Sequence, residues 1–249
     1  MEHPDRKKGF LDIVNGWLGE SINLTALDKI LSSFTGFLYV EVDTRLDVRE
    51  GIRKQLKKPI SGKYTWMSCF GGITLLLFLI QVVTGVLLAI YYKPSPDAAH
   101  DSVRYIMNDV PYGWLIRSIH RYAAELMVLT VIIHMFKVFR TGAYKPPREM
   151  NWVSGVFLFF ITLGFGFTGY LLPWDQTAYW ASTVGTQMAE SVPLIGPYIG
   201  TVLRGGSTIG EETLARFYAA HVIVLPWIMF MFMGAHFFMI RRQGCADPL

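Results

Sequence analysis

The chain has 249 residues, 52% of them apolar, a net charge of +4 and only two cysteines, Cys69 and Cys245. Its length is that of one domain, and the apolar share, with seventeen Phe, twelve Tyr and seven Trp, fits a lipid-facing surface with interfacial aromatics rather than a soluble globule. The cysteine count, with no C-x-x-C pair, argues against a disulfide scaffold or a zinc site. The basic balance calls for no nucleic acid, because most Lys and Arg flank apolar segments, where they set topology.

Residues 1–65 hold no long uninterrupted apolar core, so no cleaved signal is expected. Phe10, Leu11, Val14, Trp17 and Leu18, then Leu24, Leu27, Ile30, Leu31 and Phe34, show broken helical periodicity. An interfacial helix on lipid or a partner and a surface helix on the chain's own loops fit that pattern equally.

Four segments are apolar and long enough for a bilayer core, which needs roughly 20 helical residues. Span A runs from about Trp66 to Tyr92, span B from Trp114 to Phe139, span C from Trp152 to Leu172 and span D from Phe217 to Ile240. Pro226 is expected to kink span D. Basic residues precede span A (Arg53, Lys54, Lys57, Lys58, Lys63), fill the B–C connection (Lys137, Arg140, Lys145, Arg148) and follow span D (Arg241, Arg242). The A–B loop sets Asp97, Asp101 and Asp109 against Lys93 and Arg104. Positive charge therefore puts both termini and the B–C loop on the cytoplasmic side or its equivalent. The C–D connection, about Pro173 to Arg216, is too long for a plain linker. Its Trp174, Tyr179, Trp180, Leu194 and Ile195 suggest short interfacial helices.

Ionisable groups are expensive in hydrocarbon, so a histidine within a span is a functional candidate. His120 and His134 on span B are 14 apart; His221 and His236 on span D are 15 apart. Fourteen helical positions turn through about 1400°, roughly 40° short of four full turns, and rise roughly 21 Å, so the two rings share a face at two depths. Spans B and D run in the same direction, which pairs His120 with His221 and His134 with His236. Two stacked haems, each ligated by two histidines, fit that geometry. The plain alternative, a histidine bonded to a neighbouring helix, suits a lone residue better than two matched pairs. No C-x-x-C-H occurs, so haems on these pairs are expected to be non-covalent.

Gly71 and Gly85 on span A, and Gly155 and Gly169 on span C, repeat the 14-residue period and are read as clearance for a flat macrocycle, against ordinary helix packing. Arg117 and Arg121 flank His120 and are candidates for haem propionates or for snorkelling to headgroups. Glu125, one turn further in, is expected to pair with Arg121, to be protonated, or to face a quinone cavity.

The runs Ile116-Arg117-Ser118-Ile119-His120-Arg121 and Gly169-Tyr170-Leu171-Leu172-Pro173-Trp174-Asp175-Gln176 resemble the cytochrome b family, as do Thr84-Gly85 and Lys145-Pro146-Pro147-Arg148-Glu149. The 15-residue spacing on span D, Trp-Asp-Gln, and Pro248-Leu249 resemble its short, four-helix b6 form. The resemblance covers residues 39–249, the transmembrane domain, and leaves 1–38 as an N-terminal extension. It implies an all-α four-helix haem-binding bundle in a quinol-oxidising complex, inactive alone. Implied partners are a Rieske iron–sulfur protein, a c-type cytochrome, a small membrane subunit carrying the rest of cytochrome b, membrane lipid and a dimer of the complex. Implied cofactors are two haem b with quinone as substrate, plus a third, c-type haem on Cys69 through one thioether; a small packing cysteine is the alternative. Arg241 matches a family arginine near that third haem, and Tyr179, Trp180 and Ala181 are quinone-site candidates. Lys137, Pro146 and Glu125 depart from the family's usual residues, the family's Pro-Glu-Trp-Tyr element is absent, and Cys245 has no assigned role. A bacterial inner membrane is expected ahead of a thylakoid. The rivals are a dihaem anchor of a dehydrogenase and a haem-free transporter or scaffold.

Overall fold

The computed structural model describes residues 66–244. The expectations for residues 1–38, for the basic segment before span A and for Cys245 lie outside them. All regular structure among the described residues is helical. A 3-10 turn, Trp66–Cys69, leads into α1 (Phe70–Ala89). Then follow α2 (Ala99–Asn108), α3 (Gly113–Arg140) and α4 (Glu149–Leu171). The C–D connection forms α5 (Gln176–Glu190) and α6 (Gly196–Arg204). The last span is α7 (Glu211–Ala219), a π turn (Ala220–Val224) and α8 (Leu225–Gln243).

Four helices are long and apolar enough to cross a membrane: Trp66–Ala89, Gly113–Arg140, Glu149–Leu171 and Glu211–Gln243. They match spans A to D, most boundaries within three residues, and the start of span D moves furthest. Span D starts at Glu211 rather than near Phe217, because its first turn is polar and invisible to hydropathy. Extended Gly210 caps it, its N–H donating to Thr213 Oγ1 at 3.1 Å, and Glu211 and Glu212 sit where the helix dipole favours anions. Pro226 is accommodated by a π turn: it has no N–H for the preceding turn, and the Leu225 N–H reaches back five residues to the Ala220 carbonyl. His221 lies inside that π turn.

Helix α2 was not legible as an element. It buries Ala99, Ser102 and Ile106, one face at helical spacing, beneath an otherwise charged surface. Nearby, Tyr92 donates from its hydroxyl to the Leu172 carbonyl at 2.7 Å. Burial, and then Tyr218 beside it, push the Tyr92 phenol above its ordinary value and keep it a donor.

Within the connection, Asp175 of the Trp-Asp-Gln run is the N-cap of α5, its Oδ1 accepting the Ala178 N–H at 2.8 Å. Buried Arg204 at the end of α6 reaches Glu190 Oε2 at 2.7 Å, and its carbonyl accepts from Thr213 Oγ1 at 2.7 Å. The Arg204 side chain is 7% exposed and that of Glu190 38%, so water screens only one end of the pair. Arg204→Ala is expected to cost about 2 kcal/mol, the worth of a charged hydrogen bond. Thermal unfolding of the detergent-solubilised protein, at unchanged spectrum, checks it.

Helix α1 packs chiefly on α3, and α4 chiefly on α8. The bundle is thus two helix pairs, A with B and C with D. Their outer faces are apolar and exposed, among them Leu76, Val83, Leu126, Leu129, Phe160 and Met231. Such a surface suits lipid and would aggregate in water.

Candidate functional site: two layers of paired histidines

The histidines of α3 meet those of the last span between the two helix pairs. His120 and His221 have ring centroids 6.3 Å apart, inclined at 66°. His134 and His236 line one cavity of about 830 Å³, together with Gly71 and Gly155. The pairing is the one that parallel spans dictate.

Each ring is seated against a glycine of the neighbouring helix. A Cβ added at Gly169 would lie 2.6 Å from His221 Cε1, at Gly71 3.0 Å from His134 Cε1, and at Gly85 and Gly155 3.3 Å from Cε1 of His120 and His236. The space left by the glycines is therefore taken first by the imidazoles. Gly72 and Gly166, on the same helices, meet nothing within 4 Å.

Between the layers sits a buried cluster of Phe78, Met127 and Met229. Met127 is midway between His120 and His134, and Phe78 midway between Gly71 and Gly85. The Phe165 ring meets His221 edge-on at 5.5 Å. The second cluster, with Ala99, Leu171, Leu214 and Phe217, closes the end near His221.

Three histidines have hydroxyl partners that sequence reasoning missed. Thr84, Ser154 and Thr168 stand beside Nδ1 of His120, His236 and His221. The signal was present, since each immediately precedes one of the 14-spaced glycines.

The other sequence candidates are spread more widely. Arg117 is half-buried, its Nη1 3.6 Å from Met107 Sδ. Arg121 Nε pairs with Glu125 Oε1 at 3.4 Å on the exposed outer face, so of the three expected states for Glu125 the structure has the pair. Arg241 lies in the last turn of α8. On α5, Tyr179 packs edge-on against Trp174 at 6.0 Å, while Trp180 is exposed and its indole N–H donates to Gln176 Oε1 at 3.1 Å. Ala181 beside it is exposed too. Cys69 ends the 3-10 turn and is exposed. Its neighbours Trp66, Met67, Ser68 and Gly71 line the cavity around His134 and His236, and Cys69 itself does not.

The fold and site together define a helical bundle with four helices long and apolar enough to cross a membrane, and with histidines of two parallel helices paired at two depths. The family model "Cytochrome b/b6/petB" matches residues 55–244. The chain belongs to the cytochrome b family. It is 54% identical over 181 residues to cytochrome b6 of Mastigocladus laminosus, covering 73% of this chain and 84% of that one. It is 49% identical over 212 residues to cytochrome b6 of a Desmonostoc species, covering 85% of this chain and 99% of that one. Among solved structures it is similar to a chain titled "Hyperthermophilic respiratory Complex III", with TM-score 0.76 and 35% identity over 82% of this chain. It spans about half of that longer chain, 54%.

The family implies haem b, and the residues fit it. The His120 and His221 ring centroids, 6.3 Å apart, leave room for one metal bonded at ~2 Å to both imidazoles. No cluster of three or more His, Cys, Asp or Glu among the described residues could hold a bare metal ion. Two imidazoles leave a metal's coordination incomplete, and a macrocycle completes it. The cavity at His134 and His236 lies within the roughly 300–1,000 Å³ of cofactor sites. Its walls include Leu75, Phe78, Val131 and Leu158, and Lys137, Arg140 and Arg148 also line it.

Proposed function

We propose that the chain is the electron-transfer subunit of a Rieske-type quinol oxidoreductase, with one haem b between His120 and His221 and another between His134 and His236. The observation that carries this is the pairing of four rings in two layers, each ring seated over a glycine. When bound, the haems supply reversible one-electron exchange at iron.

The chain's own residues hold and insulate them. The histidines align both layers in one column, and Phe78, Met127 and Met229 fill the gap between layers. Lys137, Arg140 and Arg148 offer cations to carboxylates at the lower cavity. Arg117 is the better placed of the two candidates near His120, because Arg121 is engaged by Glu125; Arg241 is a third candidate contact. Quinol is oxidised on the far side, beside Tyr179, Trp180 and Ala181, and the site is completed by a separate small membrane subunit. Quinone is reduced on the cytoplasmic side. Charge crossing against the membrane potential costs about 2.3 kcal/mol per charge per 100 mV, which couples turnover to proton translocation.

Cys69 takes a third haem by one thioether in this reading. Support comes from its exposure and from its neighbours Ser68 and Gly71, which line the cavity around His134 and His236. Cys69→Ser is expected to abolish the haem retained after acid–acetone extraction and to leave the two extractable haems. An unchanged retained fraction would assign the thioether elsewhere.

The whole assembly is a dimer with a Rieske protein and a c-type cytochrome, in a bacterial inner membrane, with both termini cytoplasmic. Residues 1–38 are an extension ahead of the membrane domain in this reading. Gentle purification tests the assignment against a dehydrogenase anchor. An iron–sulfur protein with a high-potential Rieske signal is expected to co-purify; a large molybdenum or nickel subunit in its place would sink the reading.

A further inference from the structure

The residue before Gly85 is Thr84, before Gly155 Ser154 and before Gly169 Thr168. Their hydroxyl oxygens lie 2.8 Å from His120 Nδ1, 2.9 Å from His236 Nδ1 and 3.2 Å from His221 Nδ1. Each hydroxyl also has an acceptor on its own helix. Thr84 donates to the Ile80 carbonyl at 2.6 Å, Ser154 to Asn151 at 2.8 Å and Thr168 to Gly164 at 2.7 Å. A hydroxyl has one proton and two lone-pair sites, so with its proton on the carbonyl it accepts from the imidazole. Nδ1 then carries the ring proton, and Nε2 keeps the lone pair that a metal needs.

Glycine and hydroxyl work as a unit. The missing Cβ brings Cε1, the atom next to Nδ1, against the helix, and the hydroxyl then fixes the ring's plane and tautomer. His134 departs from the pattern. Its glycine, Gly71, is preceded by Phe70. Thr74 and Thr130 bond each other at 3.1 Å and their own backbones, and none of the hydrogen bonds among the described residues falls on the His134 ring.

We propose that Thr84, Thr168 and Ser154 are positioning residues for the haem-ligand candidates His120, His221 and His236. The proposal rests on the four histidines being haem ligands. An imidazole whose Nδ1–H is accepted by oxygen is the more basic ligand and favours ferric iron. Loss of that acceptor therefore raises the potential of the haem it serves.

The test uses the full chain purified from membranes with its haems, as wild type, Thr84→Val, Thr84→Ser and Ser154→Ala. Redox titration and low-temperature EPR of the ferric protein are the readouts. Thr84→Val is expected to raise the potential and shift the low-spin signal of one haem, Ser154→Ala those of the other, and Thr84→Ser to restore the wild-type values. Loss of one haem in Thr84→Val with its retention in Thr84→Ser carries the same meaning. If neither haem moves, or both move together, the positioning role is overturned and ligation stands. A wild-type protein without haem overturns both.

Discussion

Replacing His120 by alanine is expected to halve the extractable haem, from two per chain to one, and to spare the haem between His134 and His236. The two layers are separated by roughly 21 Å along α3 and by the buried cluster of Phe78, Met127 and Met229. Loss of one ligand leaves His221 without the ring that faces it at 6.3 Å. His236→Ala makes the mirror case and removes the other haem. Haemochrome quantitation with low-temperature absorbance separates the two, because each variant leaves one b-type band. Equal loss of both haems from either variant would mean that the layers do not bind independently.

The second large effect falls on Gly169. A Cβ there would stand 2.6 Å from His221 Cε1, closer than real Cβ contacts come, and 3.0 Å from Nδ1. The ring cannot retreat freely, because Thr168 holds its Nδ1 and the Phe165 ring stands nearly perpendicular to it at 5.5 Å. Gly169→Ala is expected to cost about 1–3 kcal/mol in overpacking and to lose or distort the His120/His221 haem. Gly166→Ala, on the same helix with nothing within 4 Å, is the control. It is expected to be neutral or to stabilise by up to ~1 kcal/mol through helix propensity. Haem content and midpoint temperature of the two purified variants give the comparison, and equal behaviour would reduce Gly169 to ordinary helix packing.

The features that sequence made legible are those with a strong physical signature along one segment. Four long apolar runs announce four helices, because a bilayer leaves few alternatives for the backbone. The histidine pairs follow from helical arithmetic and from the direction of spans B and D. Features that depend on contact between segments were harder to see. The Thr84, Ser154 and Thr168 hydroxyls are ordinary helix residues until the opposite imidazole is in place. Helix α2 hides its three buried positions among charged ones. Span D begins early because a glycine cap and two glutamates look like loop. Arg121 is a propionate candidate from its place beside His120, and its pairing with Glu125 is one of the states that the spacing of four residues already offers. The glycines were legible by period, yet the first group each one meets is an imidazole.

The most direct measurement of the central claim is a pyridine haemochrome count per chain on the purified protein, before and after acid–acetone extraction. Two extractable b-type haems per chain are predicted, falling to one in His120→Ala. A folded, fully helical protein that carries no haem at all would contradict the account.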